Sequence, residues 1–367
     1  LRSRTVLLRV LAVLLMGTVT LAAAETVARF AFPGYADDSQ YGERLFGRFM
    51  NSGVVVQNRA GDPRRFLAYT PNEVQTFVAP EYRYTMHTNS LGFRSKEIDS
   101  PKAGVFRVLL LGDSMFLGIG AEEGERIDVR LEEAGKQGAG GGIPSLSVLN
   151  FSVGGFNTAQ ELAVLRHFIG EARPDVVVLG FFVANDFLPN ATVSVDEAGN
   201  YAVDPQRTQA LKEQVGTDRP FLFFPSVVWR ILALNLYVPR LRYTVAATAV
   251  VMDRSFDFLR RMQQECQEHG AKLLVVVIYP IDGVRGGWVE AWSGSRGVGR
   301  QVTEFCRQQG IEVLDLLSAM SGSADATRLF FRKDGHLNPE GNRVVADAVY
   351  RELLASHLRP AVQPERP

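Results

Sequence analysis

Five short, dense apolar runs, at residues 105–111, 146–151, 175–183, 272–279 and 311–316, set the frame of this chain; helical stretches near 159–172, 253–269 and 298–309 fall between or before them. Strands that alternate with helices are joined by crossovers, and right-handed crossovers give a parallel sheet with helices on both faces. A strand covered on both faces has no wet side, so its sequence is nearly continuous in Val, Leu, Ile and Phe rather than alternating. The expected architecture is α/β, a flavodoxin-like three-layer α/β/α sandwich with a five-stranded parallel sheet.

The first run carries the chemistry. Val105, Val108, Leu109, Leu110 and Leu111 surround a single charge, Arg107, and the run ends at Gly112, Asp113 and Ser114. Open α/β sheets bind ligands at the carboxyl ends of their strands, which is where Ser114 falls. Gly112 is read as the residue that lets the backbone turn, and a helix starting near Met115, with residues 127–134 as its end, would aim its free N–H groups at whatever Ser114 attacks.

Acyl transfer also needs a base, a group that orients it, and donors for the oxyanion. Of the five histidines, His167 and His269 fall in or at the end of helices, His357 is near the C-terminus and His87 precedes the first core strand. His336 alone lies in a loop beyond the last strand, two residues after Asp334. Asn338 as an N-cap, followed by Pro339, then opens a final helix whose buried face includes Val345, Val349 and Leu353.

Around this core, residues 25–104 read as an irregular N-terminal segment packed on a main domain at 105–357, with short strands at 53–57 and 74–78. Residues 187–254 interrupt the strand-helix rhythm as an insertion, with a small hairpin at 196–201. Its apolar stretch 221–238 is read as a helix packed on the core or as a lid over the site. Residues 358–367 form a loose tail.

Residues 1–24 differ from all that follows. Arg2, Arg4 and Arg9 precede an uncharged run, and Ala22, Ala23 and Ala24 fit a small-residue cleavage site before Glu25. This reads as a secretory signal; the alternative is an uncleaved N-terminal anchor, although the run is shorter than the about 20 apolar residues of a bilayer span. Either reading exports the body of the protein, to a periplasm or the exterior, with membrane association through the N-terminus as a possibility. Forty basic residues balance forty acidic ones, so no charge excess argues for nucleic acid. No His/Cys/Asp cluster has metal-ligand spacing, and no cofactor or metal is expected. The two cysteines, Cys266 and Cys306, hold equivalent positions four residues before Gly270 and Gly310; buried free thiols and a disulfide both remain open, as does the oligomeric state.

Gly112-Asp113-Ser114 resembles block I of the GDSL, or SGNH, hydrolase family, whose nucleophile is the serine. Asn150-x-Ser152-x-x-Gly155 resembles block II, Asn185-Asp186 block III, and Asp334 with His336 block V, in family order over roughly residues 90–356. The resemblance implies the SGNH hydrolase fold, with Ser114 as nucleophile, His336 as base and Asp334 as its partner. The N–H groups of Ser114 and Gly155 and the Asn185 amide would form the oxyanion hole. Two positions depart from the pattern: Val183 stands where block III has glycine, and one residue rather than two separates Asp334 from His336. That shorter spacing also occurs in relatives that acetylate exopolysaccharides. The stretch ending Asn89-x-x-Gly92-Phe93-Arg94 resembles one found upstream of the serine block in bacterial members; it is read as a docking strand, with Asn89 or Arg94 near the pocket mouth as the alternative. The implied activity is a serine esterase acting on a carbohydrate or lipid ester, a small molecule or a polysaccharide. A polysaccharide O-acetyltransferase with the same triad and a non-catalytic binding protein are the alternatives.

Overall fold

A computed structural model describes residues 2–41, 68–98, 102, 104–138, 143–218, 220–321 and 326–358. The strand expected at 53–57, most of the glycine-rich connection 138–142 and nearly all of the tail 358–367 lie outside the described residues. The chain forms two compact units: residues 1–51 with 208–242, and residues 52–207 with 243–367.

The first unit contains helix α1 (Arg2–Ala31), whose stretch Arg9–Ala31 is long and apolar enough to cross a membrane, with mean hydropathy 2.0. At its C-terminal end the helix meets the expected helix of the apolar stretch, Val227–Leu232, which starts where Ser226 Oγ accepts the Trp229 N–H at 3.1 Å. Arg230 is the buried centre of this unit. Its guanidinium donates to the carbonyls of Tyr35 (2.8 Å), Phe223 (3.1 Å) and Phe224 (3.0 Å), pairs with Asp38, and lies 4.9 Å from the centre of the Tyr41 ring. The expected insertion is thus divided: residues 208–242 group with the N-terminus, whereas the hairpin at its start belongs to the second unit.

The second unit opens with an antiparallel hairpin, β1 (Val74–Val78) and β2 (Arg83–His87). The core strands follow as β3 (Val105–Gly112), β4 (Ser145–Asn150) and β5 (Val176–Phe182). A small hairpin of β6 (Val193–Val195) and β7 (Tyr201–Val203) then precedes β8 (Lys272–Ile278) and β9 (Glu312–Asp315). The five core strands are parallel, in the order β4-β3-β5-β8-β9. That is the doubly wound flavodoxin-like order, and it puts the switch point between β3 and β5, at the carboxyl end of the strand that leads to Ser114.

The helices divide as this order requires. After the one-turn helix α2 (Ser114–Leu117), α3 (Ile127–Gly138) packs against the final helix, α7 (Pro339–Leu353); α4 (Thr158–Ala172) packs against α5 (Ala249–Glu268), and α6 (Ser295–Gln308) against β8 and β9. Residues 108–111, 176–179 and 274–278 are fully buried between the layers. Cys266 and Cys306 are buried free thiols.

Two expectations about the first strand-helix turn are corrected. The helix after Ser114 is a single turn, because Gly118 takes the left-handed conformation (φ 78°) and ends it. The chain resumes as an α-helix only at Ile127, after a 3₁₀ turn at Glu123–Glu125. Gly112 is needed for space rather than for turning: a Cβ there would lie 2.9 Å from Phe116 Cβ, and one on Gly180 would lie 2.5 Å from the Phe116 ring. The two glycines let α2 sit directly on the sheet.

Candidate active site

Asp113 joins three parts of the site. It is the N-cap of α2, accepting the Met115 N–H at 2.8 Å, and its second oxygen accepts from Asn185 Nδ2, also at 2.8 Å. Burial pushes its carboxyl up to about 6, against the opposing pull of the Met115 N–H, the nearby His336 and the Asn185 amide. Ser114, the next residue, is half-buried at the first position of the helix.

Backbone pairing beyond the strand ends brings block II alongside. Phe151 N donates to Leu110 O (2.9 Å) and Val153 N to Gly112 O (3.0 Å), so the loop of Gly154 and Gly155 runs beside the Ser114 turn. Asn150 ties this loop down, donating to Phe116 O (2.9 Å) and accepting from Ser152 N (3.1 Å). Asn185 follows β5, with Nδ2 also donating to Phe156 O at 3.3 Å, while its buried Oδ1 accepts no hydrogen bond. Val183, standing where a glycine was expected, is buried and continues the sheet through a 3.0 Å bond to Ile278 O.

The loop of Asp334 and His336 follows the 3₁₀ turn Ala326–Leu329. Gly335 has φ 85°, and this left-handed residue folds the loop so tightly that His336 Nδ1 meets Asp334 Oδ1 across it. One intervening residue therefore suffices to pair them. His336 holds the Asp334 carboxyl below the usual carboxylate range, helped by the Tyr82 hydroxyl, which donates to Asp334 Oδ2 at 2.9 Å. The structure thus gathers Asp113, Asn185 and His336 into one electrostatic neighbourhood beside Ser114, with Gly155 in the adjoining loop.

Sequence reasoning missed what the β1–β2 hairpin does here. Glu81, in its turn, accepts the backbone N–H groups of Arg332 (3.1 Å), Lys333 (2.6 Å) and Asp334 (3.1 Å). The Tyr82 ring packs on Phe331 at 4.7 Å. Tyr69 Oη accepts the Gly154 N–H at 2.9 Å, and Tyr84 and Met86 pack on Leu117 just past the Ser114 turn. The concentration of tyrosines at 69, 82 and 84 was the only signal in the sequence.

Asn89 and Arg94 take the docking role. Asn89 Oδ1 accepts from Leu91 N (3.0 Å) and Phe93 N (2.9 Å) in a tight turn. Phe93 stacks on Phe151 at 4.1 Å and meets Phe168 edge-on. Arg94 is fully buried, donating to the carbonyls of Gly118 (2.8 Å), Ala121 (2.8 Å) and Thr85 (3.2 Å). It is not at a pocket mouth: it fixes the loop that follows α2.

Beneath the site lies a fully buried acidic pair. Neither oxygen of Glu161 nor Oδ1 of Asp186 accepts a hydrogen bond, and burial raises both carboxyls well above their usual range, with the charge of Asp113 adding to the effect. Among the described residues no group of His, Cys, Asp and Glu is placed to hold a metal ion.

A family model described as the GDSL-like lipase/acylhydrolase family matches residues 110–344. Among solved structures, the chain is similar to the lipase/acylhydrolase from Enterococcus faecalis (16% identity, covering 70% of this chain and 99% of that one, TM-score 0.41). It is also similar to the psychrotrophic esterase EstA from Pseudoalteromonas sp. (12%, 68% and 97%, 0.42) and to a GDSL-like lipase from Bacteroides thetaiotaomicron (11%, 68% and 89%, 0.38). No curated protein sequence matches it.

Proposed function

Since the chain belongs to the GDSL-like lipase/acylhydrolase family, we propose that it is an exported esterase that works through an acyl-serine intermediate on a carbohydrate or lipid ester. The observation that carries this reading is the contact between Asp334 and His336 on a loop within electrostatic reach of Asp113, the residue next to Ser114.

His336 takes the Ser114 hydroxyl proton as the serine oxygen attacks the ester carbonyl, and Asp334 holds the imidazole in orientation as it gains charge. The carbonyl oxygen, now negative, receives hydrogen bonds from the N–H groups of Ser114 and Gly155 and from Asn185 Nδ2. One Asn185 N–H stays on Asp113 at 2.8 Å; the other, held only by the 3.3 Å contact to Phe156 O, turns to the oxyanion. Collapse expels the alcohol, which takes the proton from His336, and leaves the acyl group on Ser114. Water activated by His336 then releases the acid.

The one-residue spacing of Asp334 and His336 supports a second reading, in which a sugar hydroxyl replaces water and the acyl group is transferred. Adding oligosaccharide acceptors to the acyl-enzyme separates the two: acetylated sugar means transfer, free acid alone means hydrolysis.

The primary test is intact-mass analysis after treatment with a fluorophosphonate. One adduct on the wild type and none on Ser114→Ala is the expected result. A folded wild-type protein that takes no adduct would sink the acyl-serine mechanism.

A further inference from the structure

Export alone leaves open whether the N-terminal helix is removed. We propose that α1 is retained as a membrane anchor and that the segment around the helix Val227–Leu232 lies on the outer surface of the lipid bilayer.

The argument starts at Glu25, the residue that a signal-type cleavage after Ala24 would leave at the new N-terminus. Its carboxylate caps the next element of the first unit, accepting from Ser226 Oγ (2.8 Å), Val227 N (2.9 Å) and Val228 N (3.2 Å). One turn later, Arg29 pairs with Glu25 at 2.8 Å and donates to Pro225 O. Both residues belong to the unbroken helix α1. The end of the apolar helix is therefore built into the folded unit, and cleavage there would cut the continuous helix directly before the residue that makes the joint.

Length and charge agree. Counted from Arg9 to Glu25, the stretch has 17 residues and rises about 26 Å at helical pitch, at the short end of the roughly 17–25 residues that cross a bilayer. The uncharged part is shorter, but Arg9 can reach back to the headgroups and Glu25 is neutralised by Arg29. Arg2, Arg4 and Arg9 hold the N-terminal side in the cytoplasm, which puts the Glu25 end outside.

What sits at that end is aromatic and exposed. Phe30 is 84% exposed, Phe224 58% and Trp229 40%, and Leu232 is also exposed. Trp229 satisfies its indole N–H internally, donating to Phe221 O at 2.7 Å, which leaves an amphipathic ring of the type that anchors proteins at headgroup level. The occupant of this surface is lipid, because the patch adjoins a helix whose 18-residue apolar window is wholly exposed within the unit.

The test uses the full chain with Trp288→Phe and Trp292→Phe, so that Trp229 is the only tryptophan, reconstituted in phosphatidylcholine/phosphatidylglycerol vesicles. Nitroxide labels are placed either at the headgroup or deep in the acyl chain. The expected result is blue-shifted Trp229 emission, with a greater loss to the shallow label than to the deep one, and loss of that quenching in Glu25→Ala although α1 stays inserted. Water-like, unquenched emission would overturn the surface contact, and unchanged quenching in Glu25→Ala would overturn the joint. A mature mass lacking residues 1–24 after export would overturn the anchor. Fluorophosphonate labelling of Ser114 reads the catalytic proposal separately from all of these.

Discussion

Tyr82 donates its hydroxyl to Asp334 Oδ2 at 2.9 Å, on the side of the carboxylate away from His336, although the two residues are 252 positions apart. With one oxygen held by Tyr82 and the other by His336, the carboxylate cannot rotate. Hydrogen bonds to charged groups contribute about 1.5–3 kcal/mol, so Tyr82→Phe should lower kcat roughly tenfold or more. A positioning role should leave KM nearly unchanged, and steady-state kinetics on an aryl acetate would show the split. Equal loss in kcat and affinity would point to a substrate contact instead.

Asn185 is the only side chain among the proposed oxyanion donors. Asn185→Ala should cost about 10²- to 10³-fold in kcat, with the fluorophosphonate adduct still forming slowly. Turnover at the wild-type level would remove Asn185 from the mechanism.

Glu161 and Asp186 make stability depend on pH. Their folded-state affinity for protons exceeds that of the unfolded chain, so they support folding at acid pH and lose that contribution as pH rises from the ordinary carboxyl range toward their raised values. The slope is about 1.4 kcal/mol per pH unit for each group inside this window. Thermal melts between pH 5 and 8 should therefore show a falling Tm, and Glu161→Gln should flatten the fall. Parallel curves for the two proteins would show that Glu161 does not titrate there.

Arg94 satisfies carbonyls of the loop that follows α2 and of β2, and burial lowers its guanidinium to about 10. Arg94→Met would leave those acceptors unpaired at about 1–3 kcal/mol each, a total of roughly 3 kcal/mol or more. Urea unfolding should show a lower midpoint, and Arg94→Lys should recover only part of it. A change below about 0.5 kcal/mol, the size typical of a surface substitution, would contradict the clamp.

The sheet was legible because burial on both faces writes itself into the sequence as unbroken apolar runs; 176–182 and 272–278 could hardly be anything else. The residues gathered at the site were legible because each falls at a strand end or in the loop beyond the last strand. The length of α2 was not, since a left-handed Gly118 looks in sequence like any other glycine. The roles of Glu81 and Tyr82 were hidden for a different reason. Apart from the concentration of tyrosines at 69, 82 and 84, an acid and a phenol on a short hairpin carry no local signature, and their partners lie beyond residue 330. The same holds for Arg230, whose partner Asp38 is 192 residues away: long-range polar contacts leave no periodicity behind.

Glu81 grips three successive amides of the loop that carries Asp334 and His336. The family's signature begins at residue 110, yet the loop's tether begins near residue 81. A fragment trimmed to the family's own limits would therefore keep Ser114 and the loops of Gly155 and Asn185 but lose the clamp on the loop of His336. The self-sufficient folding unit around that loop starts upstream of the chain's recognisable part, and the apparently decorative hairpin belongs to it.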